Sequence, residues 1–155
     1  MKILLDADSC PKAARDLILK RAAKLSVCVI FAANRQIPSS YEKEGKIWRA
    51  QMEICPNTED SADDRIVELA DESDIVITRD IPLAKRLTDK NITVIDDRGR
   101  AFTANNINEM LSLRNFMVDL ANHGFEYERT ANYSKKDLKQ FADSLDRILT
   151  KKLSR

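Results

Sequence analysis

Lys2-Ile3-Leu4-Leu5-Asp6-Ala7-Asp8-Ser9-Cys10-Pro11 is the stretch that decides the architecture of this chain. Ile3-Leu4-Leu5 reads as a short strand buried on both faces. It runs into two carboxylates one residue apart, and Cys10-Pro11 then opens a helix. An unpaired charge at the end of a buried strand costs several kcal/mol or forces the group to neutralise. Side chains alternate along a strand, so Asp6 and Asp8 would point the same way off the sheet end. Two acids so placed call for a cation.

The following residues extend this start into a repeating pattern. Apolar residues at 14, 17, 18 and 22, with Lys and Arg opposite, make an amphipathic helix after Pro11. Val27 to Ala33 is a continuous apolar run, so the first thirty-odd residues predict a parallel β-α-β unit with a right-handed crossover. The segment 34–40 is turn-like and 41–46 polar. Residues 47–54 predict a third strand, 74–78 a fourth and 92–95 a fifth, with helices after Ser61 and Asp80. Ser61 with Asp64 reads as a capping pair, as does Asn106 with Glu109. From residue 107 two amphipathic helices follow. The first should bury Ile107, Met110, Leu111, Met117, Val118 and Ala121 and close at His123-Gly124. The last, capped by Ser134, should bury Leu138, Phe141, Leu145, Ile148 and Leu149. The expectation is one domain over 1–155, an α/β parallel-sheet core over 1–100 and a helical extension over 101–155.

Length and composition fit such a domain. The chain has 155 residues, 43% hydrophobic and 33% charged, with three glycines and four prolines. No apolar run approaches the roughly 20 residues of a membrane span, and the charged start does not read as a signal peptide. Three cysteines without a C-x-x-C spacing suggest neither disulfides nor zinc, which fits a reducing cytoplasm. Net charge is +1, but residues 57–80 carry two basic side chains against nine acidic. Residues 1–33 carry six against three, and 134–155 seven against three.

In open parallel sheets ligands bind beyond the carboxyl ends of the strands, where strand order reverses. Acids follow three strands here: Asp6 and Asp8, Asp80, and Asp96 with Asp97. Asp60, Asp63 and Asp64 begin a helix at the same rim. Several carboxylates on one rim repel one another unless a hard divalent cation lies among them, and Mg²⁺ or Mn²⁺ suits such oxygen ligands. Each acid also has a structural role open to it. Asp8 or Ser9 would cap the helix after Pro11, Asp80 would cap the helix at Pro82, and Asp63 and Asp64 would suit a helix dipole. Asp6 has no helix start within reach. Cys10 reads as a packed thiol, because the spacing to Arg15 is one residue short of a phosphatase loop. Trp48, Tyr127 and Tyr133 stand as aromatics for base stacking or for packing. Asn34 and Arg98 offer contacts to an anion at the same rim.

Asp6-Ala7-Asp8-Ser9-Cys10-Pro11, Ala33-Asn34, Ala62-Asp63-Asp64, Val76-Ile77-Thr78-Arg79-Asp80-Ile81-Pro82-Leu83-Ala84, Arg98-Gly99, Thr103-Ala104-Asn105-Asn106-Ile107, Arg114-Asn115-Phe116-Met117 and Phe141-Ala142-Asp143-Ser144-Leu145-Asp146 resemble the YaiI/YqxD family of uncharacterised bacterial proteins. That family is similar to PIN-like nucleases. The resemblance implies a three-layer sheet of order 3-2-1-4-5 with two added C-terminal helices. It further implies acids that bind Mg²⁺ or Mn²⁺ for hydrolysis of single-stranded RNA. By position, Asp6, Asp63 or Asp64, and Asp80 match the catalytic acids, with Asp8 and Asp97 as further metal ligands. Asn34, Lys12, Arg15, Arg79 and Arg98 would position the substrate. A homodimer is a further expectation.

Two other readings compete. In a haloacid-dehalogenase-like phosphatase, Asp6 would be the nucleophile and Asp8 the acid/base. Thr78 and Lys85 would serve the phosphate, and Asp96-Asp97 the Mg²⁺. Cys10-Pro11, starting a helix at once, leaves no room for that fold's flap. The third reading is a non-catalytic RNA-binding or adaptor protein on the same scaffold.

Overall fold

A computed structural model describes residues 1–124 and 132–154. Five parallel strands carry the fold: β1 (Lys2–Asp6), β2 (Cys28–Ala33), β5 (Gln51–Ile54), β6 (Ile75–Ile77) and β7 (Thr93–Ile95). Between β2 and β5 lies an antiparallel hairpin, β3 (Ser40–Lys43) and β4 (Lys46–Arg49), which forms a sheet of its own. The short β8 (Ala101–Phe102) pairs antiparallel with β7. The main sheet runs β5-β2-β1-β6-β7-β8. With β5 as the third predicted strand, its parallel part has the order 3-2-1-4-5 that the resemblance implied.

The helices are α1 (Lys12–Leu25), α2 (Ser61–Leu69), α3 (Ile81–Thr88), α4 (Ile107–Asn122) and α5 (Lys135–Leu153). Alternation along β1 assigns them to layers. Ile3 and Leu5 point to a core built with Ala14 and Ile18 of α1 and Phe141, Leu145 and Leu149 of α5. Leu4 points to the opposite core, with Ile66 of α2, Leu83 and Leu87 of α3 and Ile107 of α4. The result is three layers. Because Phe141 and Leu145 are completely buried, α5 belongs to the core rather than merely extending it.

Several local expectations are corrected. The strand predicted over 47–54 is two strands, broken at Ala50, because the first half pairs with the polar segment 40–43 instead of the main sheet. Glu44 and Gly45, at φ 53° and 75°, supply the two positive φ values of a tight hairpin turn. Neither Asp8 nor Ser9 caps α1, since Pro11 holds the cap position. Asp60, not Ser61, precedes α2, and it makes no side-chain cap. Asn106 pairs with Thr103 rather than Glu109: its Oδ1 accepts the Thr103 N–H and its own N–H donates to Thr103 Oγ1. Of the apolar positions in α4 only Ile107 is buried, while Leu113, Phe116 and Val118 are exposed, because the helix packs on α3. The caps of Asp80 on α3 and of Ser134 on α5 are present as read, and Asp137 completes a capping box with Ser134. Tyr127 lies outside the described residues.

Candidate active site at the carboxyl edge of the sheet

Strand order reverses between β1 and β6, and the acids gather at that crevice. Asp6 is the last residue of β1. The backbone then makes one 3-10 turn, Ala7–Ser9, without any cap bond from the Asp6 side chain. Asp6 Oδ2 instead accepts from Thr78 Oγ1, at the end of β6, at 3.2 Å. The same Thr78 oxygen accepts the Asp80 N–H at 3.0 Å. One hydroxyl therefore ties the two strand ends together. Asp80 Oδ1 caps α3 on the Leu83 N–H at 2.9 Å, and the Asp80 carboxylate lies near enough to Asp63, in the first turn of α2, to act on its ionisation.

This cluster is electrostatically uncomfortable. Burial raises the Asp63 carboxyl, and the charges of Asp80 and Asp6 push it further, up to about 7. Burial also raises Asp6; the Thr78 bond opposes this, and Asp80 and Asp8 add to the rise. As they stand, no three His, Cys, Asp or Glu side chains among the described residues are disposed to hold a metal ion. The strongest mutual influence is that of Asp80 on Asp63. Repulsion among oxygen donors is what a hard cation would relieve. Mg²⁺ keeps several waters and needs only one or two carboxylates directly, so the donor set fits.

The other predicted residues have different surroundings. Asp64 is an exposed partner of Arg86 at 2.9 Å. Asp8 accepts the Asn34 N–H at 3.2 Å and lies 3.7 Å from Arg35, and the Asn34 amide donates to Asn57 at 2.9 Å. These bonds join the segments after β1, after β2 and before α2. Asp97 is buried, with one oxygen on Arg79 and the other, Oδ1, without a hydrogen-bond partner among the described residues. Burial raises its carboxyl against the opposing pull of Arg79. Tyr133 donates to the Asp97 carbonyl at 2.6 Å. Asp96 accepts the N–H groups of Arg98 and Arg100, each at 2.9 Å, and so organises the turn after β7. Arg15 donates to the Cys10 carbonyl, Lys12 pairs with Asp16, and Arg98 lies 3.5 Å from Asp137.

Cys10 is buried as read, and burial next to Asp97 pushes its thiol up to about 12, so it is no nucleophile. Thr78 and Asn57, which join the segments around the acids, were not picked out for that role. A hydroxyl closing an apolar strand is the one signal that pointed to Thr78.

The family described as uncharacterised BCR, YaiI/YqxD, matches residues 4–151. The chain belongs to the YaiI/YqxD family. A UPF0178 protein of Treponema denticola is 48% identical over 99% of this chain and 94% of its own length. Others come from Treponema pallidum, 42% identical over 99% of this chain and 84% of that one, and Ectopseudomonas mendocina, 39% identical over 97% and 98%. No solved structure matches the chain. Among the described residues, no helix is long and apolar enough to cross a membrane.

Proposed function

We propose that this YaiI/YqxD protein is a divalent-cation-dependent phosphodiester hydrolase acting on single-stranded RNA. The observation that carries the reading is the placement of Asp6 and Asp80 at the switch point of the sheet, tied through Thr78, with their charges acting on Asp63 at the start of α2. Asp63 and Asp80 would hold Mg²⁺ or Mn²⁺, with Asp6 at the same rim. Bound there, the ion would polarise a phosphoryl oxygen and acidify a water. Thr78 keeps Asp6 in place while fixing the Asp80 backbone, so the ends of β1 and β6 form one rigid support. Lys12 and Asn34, in the segments following β1 and β2, would meet the phosphates on either side.

Two placements weigh against the phosphatase. Lys85 is paired with Asp89 along α3 at 2.7 Å, and Asp96 is spent on its own turn. The test is cleavage of a mixed RNA pool with Mn²⁺ by the wild type and by Asp6→Asn. Loss of at least a hundredfold in the variant is expected, the scale of removing a preorganised catalytic group. Equal cleavage by both proteins would assign the activity to a contaminant and overturn the reading.

A further inference from the structure

A groove of about 510 Å³ lies between the C-terminal half of α1 and the β3–β4 hairpin, away from the acidic rim. Its walls carry Lys20 and Lys24, one turn apart on α1, and Lys43 and Lys46, opposite each other beside the hairpin turn. All four are exposed, and none has an ion-pair partner among the described residues. Arg21, also in the wall, is held by Asp146 at 2.7 Å, and Glu44 is the wall's one acid. Like charges opposite one another on a hairpin are destabilising, so this convergence is no contribution to folding. Between the lysines lie Tyr41 and Trp48, cross-strand neighbours with ring centroids 6.1 Å apart and planes tilted by 40°. Both are half-buried and line the groove, Tyr41 also packing against the core.

We infer that this groove is a binding site for single-stranded nucleic acid. Cationic side chains that track a phosphate backbone, interleaved with aromatic faces on which unpaired bases stack, are the two components of sequence-tolerant single-strand binding. A duplex keeps its bases stacked within itself and offers nothing to Trp48. An acidic protein would use the lysines but not the rings. The inference deepens the proposed hydrolase by naming the surface that grips the strand, and rests on that reading for the strand being RNA. Lys12, at the rim end of α1, and Lys20 and Lys24 lie on one helix rising 1.5 Å per residue. The groove cations are therefore about 12–18 Å along α1 from the rim, so a strand held in the groove would span several nucleotides before the acids.

Trp48 is the only tryptophan, so its fluorescence reports the groove directly. The full chain is titrated in EDTA, where cleavage is suppressed, with a fluorescein-labelled oligouridylate of about twelve nucleotides, followed by Trp48 quenching and by anisotropy. Expected are quenching on binding, weaker binding with rising salt, and at least tenfold lower affinity for K20E/K24E and for K43E/K46E. Trp48→Phe should retain most of the affinity and Trp48→Ala should lose it, which separates ring stacking from charge. Unchanged affinity in both lysine variants, or equal binding of an RNA duplex, would overturn the inference. So would binding of heparin or a polyglutamate as tight as that of the oligonucleotide. Oligouridylate binding without Mn²⁺-dependent cleavage overturns the hydrolase alone. Cleavage of the oligonucleotide at wild-type rates by both lysine variants overturns the groove alone.

Discussion

The two ends of the sheet treat a carboxylate in opposite ways. At the amino edge, just before β6, Asp74 is 1% exposed and saturated. It accepts the Lys2 N–H at 2.9 Å, the Lys2 ammonium at 2.6 Å and the Asp71 N–H at 2.9 Å. At the carboxyl edge the charges of Asp6 and Asp80 act on Asp63, and Thr78 and the α3 cap are the donors that relieve them among the described residues. A buried acid with donors on both oxygens locks the fold. Acids left to repel one another are strained unless something else supplies positive charge. Asp97 stands between these extremes, with one oxygen on Arg79 and the other without a hydrogen-bond partner among the described residues.

The comparison breaks if Asp74 proves dispensable. Asp74→Ala removes the acceptor of the Lys2 and Asp71 N–H groups and leaves the Lys2 ammonium only Asp71, at 3.9 Å, and should cost ~3 kcal/mol in urea unfolding. For a chain of this size that is a fall in Tm of roughly 6–12 °C. Arg79→Ala should cost less, about 2 kcal/mol near neutral pH, because Arg79 is 41% exposed and its loss leaves the buried Asp97 carboxylate without its ion-pair partner, with only the weaker pull of Arg98. That loss should shrink in acid, where protonation removes the unpaired charge. At the rim the effect expected has the opposite sign. Asp63 in the folded chain keeps its proton up to about 7, whereas an ordinary aspartate gives it up near 3.8. The folded state therefore binds more protons between those values, and metal-free stability should fall as pH rises from about 4 to about 7. Asp63→Asn should flatten that decline, and above neutrality it should equal or exceed the wild type in Tm.

Strand-and-helix alternation made the parallel core legible from the sequence, because fully buried strands such as Ile3-Leu4-Leu5 leave continuous apolar runs. The hairpin was hidden because its pairing depends on Tyr41 meeting Trp48 across a turn set by two positive φ values, in a segment otherwise polar. Two caps were misread because Asp8 and Asn106 have the right chemistry at the right spacing, but the Asp8 carboxylate turns to Asn34 and Arg35 and the Asn106 amide to Thr103. At the rim, spacing alone left Asp63 and Asp64 equivalent. The pitch of α2 separates them, giving Asp63 to Asp80 and Asp64 to Arg86. No sequence pattern announces the basic groove, since its four lysines come from two elements joined only by folding.

The most direct test follows the Asp63 side-chain carboxyl by carbon NMR through a pH titration of the metal-free protein, repeated at millimolar Mg²⁺. A midpoint of about 7 without the ion, moving down by more than a pH unit with it, is the predicted result. A midpoint near 3.8 in both titrations, or one that Mg²⁺ leaves unmoved, would contradict the reading of the rim as a cation site.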